Sequence, residues 1–241
     1  MDAVITGIGW VTAQGMGWGK QRHDFALTSA PLPPLARKDV FAEPNQRFGR
    51  QSEYSKLGLA AIAFALRDAG LEKWSEKRPV GIVASSQLGC LTTDLDYFDT
   101  VIPINGGLPS PNLFAFTLAN CFLGEAAIQF GLTGSSIVVN EITGDGLYGL
   151  RTALEGLAFG GCDTMLTGIC DLPPQPILPG ISAPLPGAVF MVLDNSRQRT
   201  EQEYGSLELA EDGAIRHNGC VVGSFVDLVK ACLVSKDGKK Q

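Results

Sequence analysis

The chain has 241 residues, of which 45% are hydrophobic and 18% are charged, and this composition predicts a soluble globular protein with a sizeable core. The net charge is −6 and no segment concentrates lysine or arginine, so nucleic-acid binding is not expected. No segment approaches the roughly 20 apolar residues that a membrane span needs, and the first residues do not resemble a secretion signal. We therefore expect a cytoplasmic protein without membrane association.

Apolar periodicity predicts alternating strands and helices. Runs rich in β-branched residues predict strands at 2–8, 80–85, 136–141, 163–169 and 187–193. Apolar residues at helical spacing predict helices at 55–71, 110–120, 125–132 and 146–161. This alternation is typical of an α/β fold with a largely buried sheet.

Start signals and proline content refine this assignment. The helix at 110–120 has a strong start, because Ser110 can cap it and Pro111 suits its first turn. The proline-rich stretches 31–34 and 172–186 are expected to be surface connections. Residues 220–234 are expected to form a short strand and a helix.

Neither a metal site nor a cofactor is expected. The six cysteines have no paired spacing and are expected to be reduced thiols, and His23 and His217 stand in polar contexts without a partner nearby in sequence. The glycine-rich stretch 7–12 lacks the third glycine of a dinucleotide fingerprint, and 15–20 departs from a phosphate loop. Both stretches are interpreted as turn glycines after the first strand.

Residues 137–157 predict a buried strand, an abrupt turn and an amphipathic helix. Enzymes often place a nucleophile in such an elbow, where the helix N-terminus favours a developing anion. The turn here reads Thr143-Gly144-Asp145-Gly146. Asp145 is expected to be the N-cap of the helix. The Thr143 hydroxyl has no base adjacent in sequence and is most simply a small turn residue.

Several segments together resemble the β-ketoacyl synthases, the condensing enzymes of fatty-acid and polyketide synthesis. They follow the family's order and spacing, and they are 4–15, 80–100, 110–139, 158–171 and 187–195. The resemblance implies a thiolase-like single lobe of βαβαβαββ order, with a mixed, mostly parallel sheet flanked by helices. We expect a single truncated N-terminal-type domain over residues 1–241, with the core match at about 2–195.

The resemblance also implies that catalytic groups are missing. Thr143 stands where the family's elbow carries its cysteine, and a threonine hydroxyl cannot offer the thiolate that accepts the acyl group. The family's active-site histidines and lysine lie in a second lobe, and neither His23 nor His217 occupies a matching position. We expect that the chain alone does not catalyse condensation, so no catalytic residue is assigned.

Within the family, chain-length-factor subunits lack the cysteine, pair with an active synthase and help to wall its acyl tunnel. We therefore expect a non-catalytic subunit that forms a heterodimer or higher assembly with a catalytic ketosynthase, in fatty-acid or polyketide elongation of the polyene type. The resemblance assigns the tunnel to Phe114, Phe116, Leu118 and Thr143. It assigns the interface to Ile137, Val138, Val139, Asn140 and Glu141.

Physical arguments support a partner but leave alternatives open. The helix 146–161 carries more apolar residues than one stripe can bury, and the strand 136–141 would present an open edge. Arg47, Arg50 and Lys56 could contact an acidic acyl carrier protein, although local pairing is the stronger interpretation. One alternative is a stand-alone acyltransferase or hydrolase that uses Thr143, Asp145 or a thiol such as that of Cys170. Another is a homodimeric acyl-binding scaffold.

Overall fold

A nine-stranded sheet lies between two layers of helices. The computed structural model describes residues 2–21, 25–177, 179–180, 182–195 and 204–234. The strands are Asp2–Thr12 (β1), Gly15–Trp18 (β2), Val80–Ser86 (β3), Ser136–Asn140 (β4), Thr164–Asp171 (β5), Gly187–Asp194 (β6), Ser206–Leu209 (β7), Ile215–His217 (β8) and Cys220–Val221 (β9). The α-helices are Arg37–Val40 (α1), Glu53–Asp68 (α2), Leu91–Val101 (α3), Pro111–Phe114 (α4), Cys121–Phe130 (α5), Leu147–Ala158 (α6) and Phe225–Val234 (α7).

The strand order is β4-β3-β5-β6-β1-β7-β8-β9, and β2 pairs with β1. Strand β3 pairs parallel with β4 and β5, whereas β6 lies antiparallel between β5 and β1. Four of the five core strands (β4, β3, β5 and β1) therefore run in one direction and β6 runs in the other. With α2, α5 and α6 as the intervening helices, this core has the predicted βαβαβαββ order. The predicted thiolase-like fold class is confirmed.

Close contact between α2 and β1 explains two glycines that the sequence analysis assigned to turns. A Cβ at Gly9 would lie 2.1 Å from Ala65 N, and a Cβ at Gly7 would lie 2.5 Å from Ala65 O. Both glycines lie inside β1, and a residue without a side chain is needed where a helix approaches a strand so closely. The turn interpretation of Gly7 and Gly9 was wrong, and their role is helix–sheet packing.

Two apolar cores cover the two faces of the sheet. One packs α2 and α5 against the sheet around Phe64, Phe122 and Phe190. The other packs α6 and α7 around Trp10, Leu154 and Phe225. The predicted strand and helix within 220–234 are β9 and α7, so α7 helps to cover the same face of the sheet as α6.

The predicted helix at 110–120 is much shorter than expected. Ser110 does cap it, accepting a hydrogen bond from Leu113 N (3.3 Å), but α4 ends at Phe114. The backbone N–H and the hydroxyl of Thr117 both donate to Phe114 O, and these local turn contacts replace the next helical bonds. Conversely, residues 91–101 form a helix that the sequence analysis did not assign.

The proline-rich residues 31–34 have no regular secondary structure, and the stretch 172–186 joins the antiparallel strands β5 and β6. Among the described helices, none is long and apolar enough to cross a membrane.

Candidate functional site

The predicted elbow is present between β4 and α6. The chain leaves β4 at Asn140 and enters α6 at Leu147, with Gly144 and Gly146 at φ of 75° and 74°. A Cβ at Gly146 would lie 2.8 Å from Ile169 Cγ2 and 2.8 Å from Phe225 Cβ. Backbone conformation and close packing therefore both require glycine at this position.

Thr143 lies exposed in this turn and its hydroxyl has a carboxylate partner. Thr143 Oγ1 donates a hydrogen bond of 2.7 Å to Glu141 Oε1. The sequence analysis found no base adjacent to Thr143. Glu141 is two residues away and not adjacent in sequence, but the fold of the turn brings its side chain to the hydroxyl.

Glu141 is held inside the chain. Its side chain is enclosed, its Oε2 accepts a hydrogen bond from Tyr148 N (3.3 Å), and its own N–H donates to Ser86 O (2.9 Å). Its role at an interface stays a prediction, and its side chain is directed to the N-terminus of α6. It contributes little surface to a partner.

Asp145 lies one residue before the N-cap of α6, although the sequence predicted it to be the N-cap itself. Gly146 is the N-cap of α6, and Asp145 Oδ1 accepts a hydrogen bond from Leu147 N (2.8 Å). The carbonyl of Asp145 accepts a hydrogen bond from Phe225 N (2.7 Å), which ties the elbow to the start of α7. The positive φ of the turn favours glycine over aspartate at the N-cap, and the N-cap prediction was wrong for this reason.

A buried carboxylate that the sequence analysis missed organises the neighbouring loop. Asp171 Oδ1, at the end of β5, accepts hydrogen bonds from Ser86 Oγ (2.9 Å), Gln87 N (2.9 Å) and Leu88 N (3.1 Å). Burial raises the pKa of Asp171 to about 6, although these three hydrogen bonds act in the opposite direction. A Cβ at Gly144 would lie 3.0 Å from Gln87 Nε2, so this loop borders the elbow. No local sequence pattern signals such a contact between distant residues.

The expected interface residues lie at the edge of the described sheet. In β4, Ile137 and Asn140 are exposed, while Val138 and Val139 are half-buried against the two different cores. The outer side of β4 has no strand partner among the described residues. The open edge that the sequence predicted is therefore observed within the described chain, whereas its role as an interface remains a prediction.

Of the expected tunnel residues, Thr143 lies in the elbow, and the other three lie on α4 and in the turns after it. Phe114 and Leu118 are exposed, and Phe116 is half-buried. The ring of Phe114 lies 5.5 Å from that of Tyr97 on α3, measured between centroids. A Cβ at Gly89 would lie 3.2 Å from Ala119 Cβ, so the segment after α4 borders the loop beside the elbow.

The other candidate groups are not assembled at the elbow. His217 is buried on β8, which is five strands away from β3 and next to the last strand of the sheet order, with its Nε2 2.9 Å from Tyr204 O. His23 lies outside the described residues. Arg47 pairs with Glu125 and Lys56 pairs with Glu53, whereas Arg50 is exposed.

The thiol of Cys170 is poorly placed for chemistry. Cys170 is fully buried, and burial, with the charge of Asp171, raises the pKa of its thiol well above the ordinary range. Burial likewise raises the pKa of Cys90 to about 12, with a contribution from Asp94. Among the described residues, no group of three or more histidine, cysteine or acidic side chains forms a metal-binding cluster.

The sequence is similar to those of known proteins. The profile of the beta-ketoacyl synthase N-terminal domain matches residues 36–222. A curated relative, 3-oxoacyl-(acyl-carrier-protein) synthase 2 of Vibrio cholerae, is 28% identical over 116 residues, which are 48% of this chain and 28% of that protein. The matched region is thus well under two thirds of the relative's length.

Solved structures share the fold. The ishigamide ketosynthase/chain length factor structure matches with a TM-score of 0.67 and 16% identity, over 86% of this chain and 62% of the matched one. The ketosynthase ApeO in complex with its chain length factor ApeC, from Xenorhabdus doucetiae, matches with a TM-score of 0.56 and 21% identity. That match covers 81% of this chain and 80% of the other chain. At these identities the likeness is one of fold.

Proposed function

Since the chain belongs to the β-ketoacyl synthase family through its N-terminal domain, we propose that it is a non-catalytic, chain-length-factor-like subunit. The observation that carries this proposal is the hydroxyl of Thr143 at the elbow, bonded to Glu141 Oε1 at 2.7 Å. Acyl transfer needs an activated nucleophile such as a thiolate, or a hydroxyl with an effective base. A carboxylate is a weak base toward an aliphatic hydroxyl, so this contact orients Thr143 without activating it.

The proposed partner is a cysteine-containing ketosynthase, in a heterodimer or a higher assembly. Strand β4 leaves one row of backbone donors and acceptors unpaired within the described chain, and such an edge is suited to pairing with another chain. Exposed apolar side chains at Ile137, Phe114 and Leu118 add area that a partner would remove from water. Two structural relatives, described as ketosynthases with chain length factors, are consistent with this assignment.

The proposed setting is acyl-chain elongation in fatty-acid or polyketide synthesis, of the polyene type, in the cytoplasm. In this setting the subunit would wall the distal part of its partner's acyl tunnel with Phe114, Phe116 or Leu118. An acyl carrier protein is a further proposed partner, and Arg47 and Arg50 are the exposed cations of the set Arg47, Arg50 and Lys56, with Arg47 paired to Glu125.

Co-expression tests the pairing directly. The chain is produced together with a two-lobed, cysteine-containing ketosynthase from the same genome, and affinity purification through a tag on this chain is followed by native mass spectrometry. We expect a stoichiometric complex that elongates acyl chains, and we expect the isolated chain to be inactive. Failure to recover the ketosynthase, or an unchanged product range when this chain is omitted, contradicts the proposal.

A stand-alone acyltransferase is the second candidate, and the specific observation in its favour is again the Thr143–Glu141 hydrogen bond. A hydroxyl beside a carboxylate is the minimum arrangement for general-base assistance. Intact-mass spectrometry after incubation with acyl-thioesters separates the candidates, with Thr143→Ala as the control. An acyl adduct on the wild type that the control lacks supports the enzyme, and no adduct on either supports the non-catalytic subunit.

A further inference from the structure

The carboxylate of Glu141 lies at the elbow and contacts both the Thr143 hydroxyl and the start of α6. One of its oxygens lies 2.7 Å from Thr143 Oγ1, and the other accepts the N–H of Tyr148 in the first turn of α6. The side chain is only 4% exposed, and its backbone N–H is fixed to Ser86 O. Hydrogen bonds to the side chain and from the backbone therefore both fix the position of the carboxylate.

This position determines what else the elbow can stabilise. The N-terminus of a helix favours nearby negative charge, and here the carboxylates of Glu141 and Asp145 already accept its first N–H groups. A thiolate at position 143, or an oxyanion forming on an acyl group there, would lie at about hydrogen-bond distance from the Glu141 carboxylate. Like charges at such a separation disfavour the second ionisation, and the burial of Glu141 reduces its screening by solvent even though residue 143 is exposed.

We propose that Glu141 is an autoinhibitory contact of the elbow, which keeps a nucleophile at position 143 unreactive by occupying the helix N-terminus with its own charge. The inference rests on the proposed function, because it explains how the elbow keeps its shape while its chemistry is suppressed. It follows that two changes, and not one, are needed to restore a reactive thiol. Replacing Thr143 by cysteine leaves the charge of Glu141 beside the new sulfur.

Alkylation kinetics measure this effect on the isolated chain. Thr143→Cys is compared with the double variant Thr143→Cys/Glu141→Gln, using iodoacetamide between pH 6 and 10 and peptide mass spectrometry to follow residue 143. The thiolate attacks the methylene carbon and iodide leaves. We expect the double variant to react about tenfold faster at pH 7, since one unit of thiol pKa is a tenfold change in thiolate. The midpoint of the single variant should lie above the ordinary cysteine value of about 8.5.

A matched control separates the contact from the general loss of charge. Asp145 lies in the same turn, but its carboxylate bonds to Leu147 N and not to Thr143. We expect Thr143→Cys/Asp145→Asn to change the rate less than about threefold, because the Asp145 carboxylate is bonded to the backbone of α6. Thermal melts check folding, and Glu141→Ala replaces Glu141→Gln if the glutamine variant is unfolded.

Two results overturn the inference. One is a Thr143→Cys thiol that already titrates at or below the ordinary value and is unaffected by Glu141→Gln. The other is an equal acceleration by Asp145→Asn. The measurement needs no ketosynthase, so failure of this inference is distinct from failure of the co-expression experiment.

Discussion

The phenol of Tyr204 donates a hydrogen bond of 2.6 Å to Asp68 Oδ2 and so joins the segment before β7 to the end of α2. Asp68 is fully buried and also accepts hydrogen bonds from Ile8 N (2.9 Å) and Lys20 N (2.8 Å). Burial, followed by the charge of Asp68, raises the pKa of Tyr204, so the phenol remains a donor. One carboxylate thus connects β1, the turn after β2, α2 and the C-terminal strands.

Asp68→Ala should be strongly destabilising, because it leaves the buried donors Ile8 N and Tyr204 Oη, and the part-buried Lys20 N, without this acceptor. We expect a loss of about 3–5 kcal/mol in the free energy of unfolding, against about 1–2 kcal/mol for Tyr204→Phe. Urea denaturation at neutral pH measures both. Glu208→Ala, an exposed acidic residue on β7, is the control and should change the value by less than about 0.5 kcal/mol. Equal effects of Asp68→Ala and Glu208→Ala would contradict the assignment.

Asp171 should make stability depend on pH in a defined direction. Its pKa is raised to about 6 in the folded state, so the folded protein binds this proton more tightly than the unfolded chain. Its contribution to stability is complete below about pH 4 and is lost as the pH rises through 6. Between pH 4 and pH 7, the free energy of unfolding of Asp171→Asn should rise by about 2–3 kcal/mol relative to that of the wild type.

The measurement is urea denaturation of the wild type and of Asp171→Asn across that pH range. Asparagine is isosteric and can keep accepting from Ser86, Gln87 and Leu88 through its oxygen. Asp163→Asn removes an exposed carboxyl next to the start of β5 and serves as the control. The difference in unfolding free energy between this variant and the wild type should not change with pH. If the stability difference between Asp171→Asn and the wild type is also independent of pH, the Asp171 carboxyl is not desolvated as described.

Charge on the open edge of β4 should prevent association with the partner. If β4 pairs antiparallel with the equivalent strand of a related subunit across a twofold or pseudo-twofold axis, Ile137→Lys places a charge in that seam. Ile137 is 43% exposed, so the isolated chain should lose less than about 1 kcal/mol of stability. Val139→Lys should also abolish association, but with an added cost of about 1–3 kcal/mol because Val139 packs on a core.

Light scattering on a sizing column reports the association. Val221→Lys introduces the same charge on β9, at the opposite end of the sheet, and should leave the complex intact. A complex of unchanged size with Ile137→Lys would remove β4 from the interface. Loss of a self-associated dimer, with no ketosynthase bound in the wild type, would favour the homodimeric scaffold instead.

Phe114 and Phe116 should differ in their effect on product length. Phe114 is 62% exposed in the isolated chain, so Phe114→Ala should cost less than about 1 kcal/mol of stability there. If its ring forms the far wall of the partner's acyl pocket, its removal opens the volume of several methylenes, and the longest product should lengthen. Phe116 is half-buried, and Phe116→Ala should mainly destabilise the chain, by about 1–3 kcal/mol.

Mass spectrometry of products from the reconstituted pair, beside thermal melts of each variant, makes the comparison. Phe159→Ala, on an exposed ring just after α6, is the control for removing a surface phenyl group and should leave product length unchanged. Wild-type product lengths from both Phe114→Ala and Phe116→Ala, in well-folded complexes, would show that α4 and its following turn do not set chain length.

Features that depend on neighbouring residues could be predicted from the sequence. Periodicity located the five core strands and the helices α2, α5 and α6, and Ser110 with Pro111 marked the start of α4. The strand, glycine turn and helix around Thr143 identified the elbow, because these signals are local in the chain. The same local signals overstated the length of α4, since Thr117 competes for the carbonyl of Phe114.

Which distant groups meet, and how deeply each is buried, depends on the tertiary fold. Asp171 reaches Ser86, 85 residues away, and Tyr204 reaches Asp68 over 136 residues, and no local pattern encodes either contact. Glu141 is near Thr143 in sequence, yet only the fold of the turn directs its carboxylate to the hydroxyl and to α6. Burial fixes these polar groups, because a buried donor or acceptor is costly unless it has a partner. Sequence periodicity therefore predicted the elbow, whereas the positions of the carboxylates around it depend on how the chain packs.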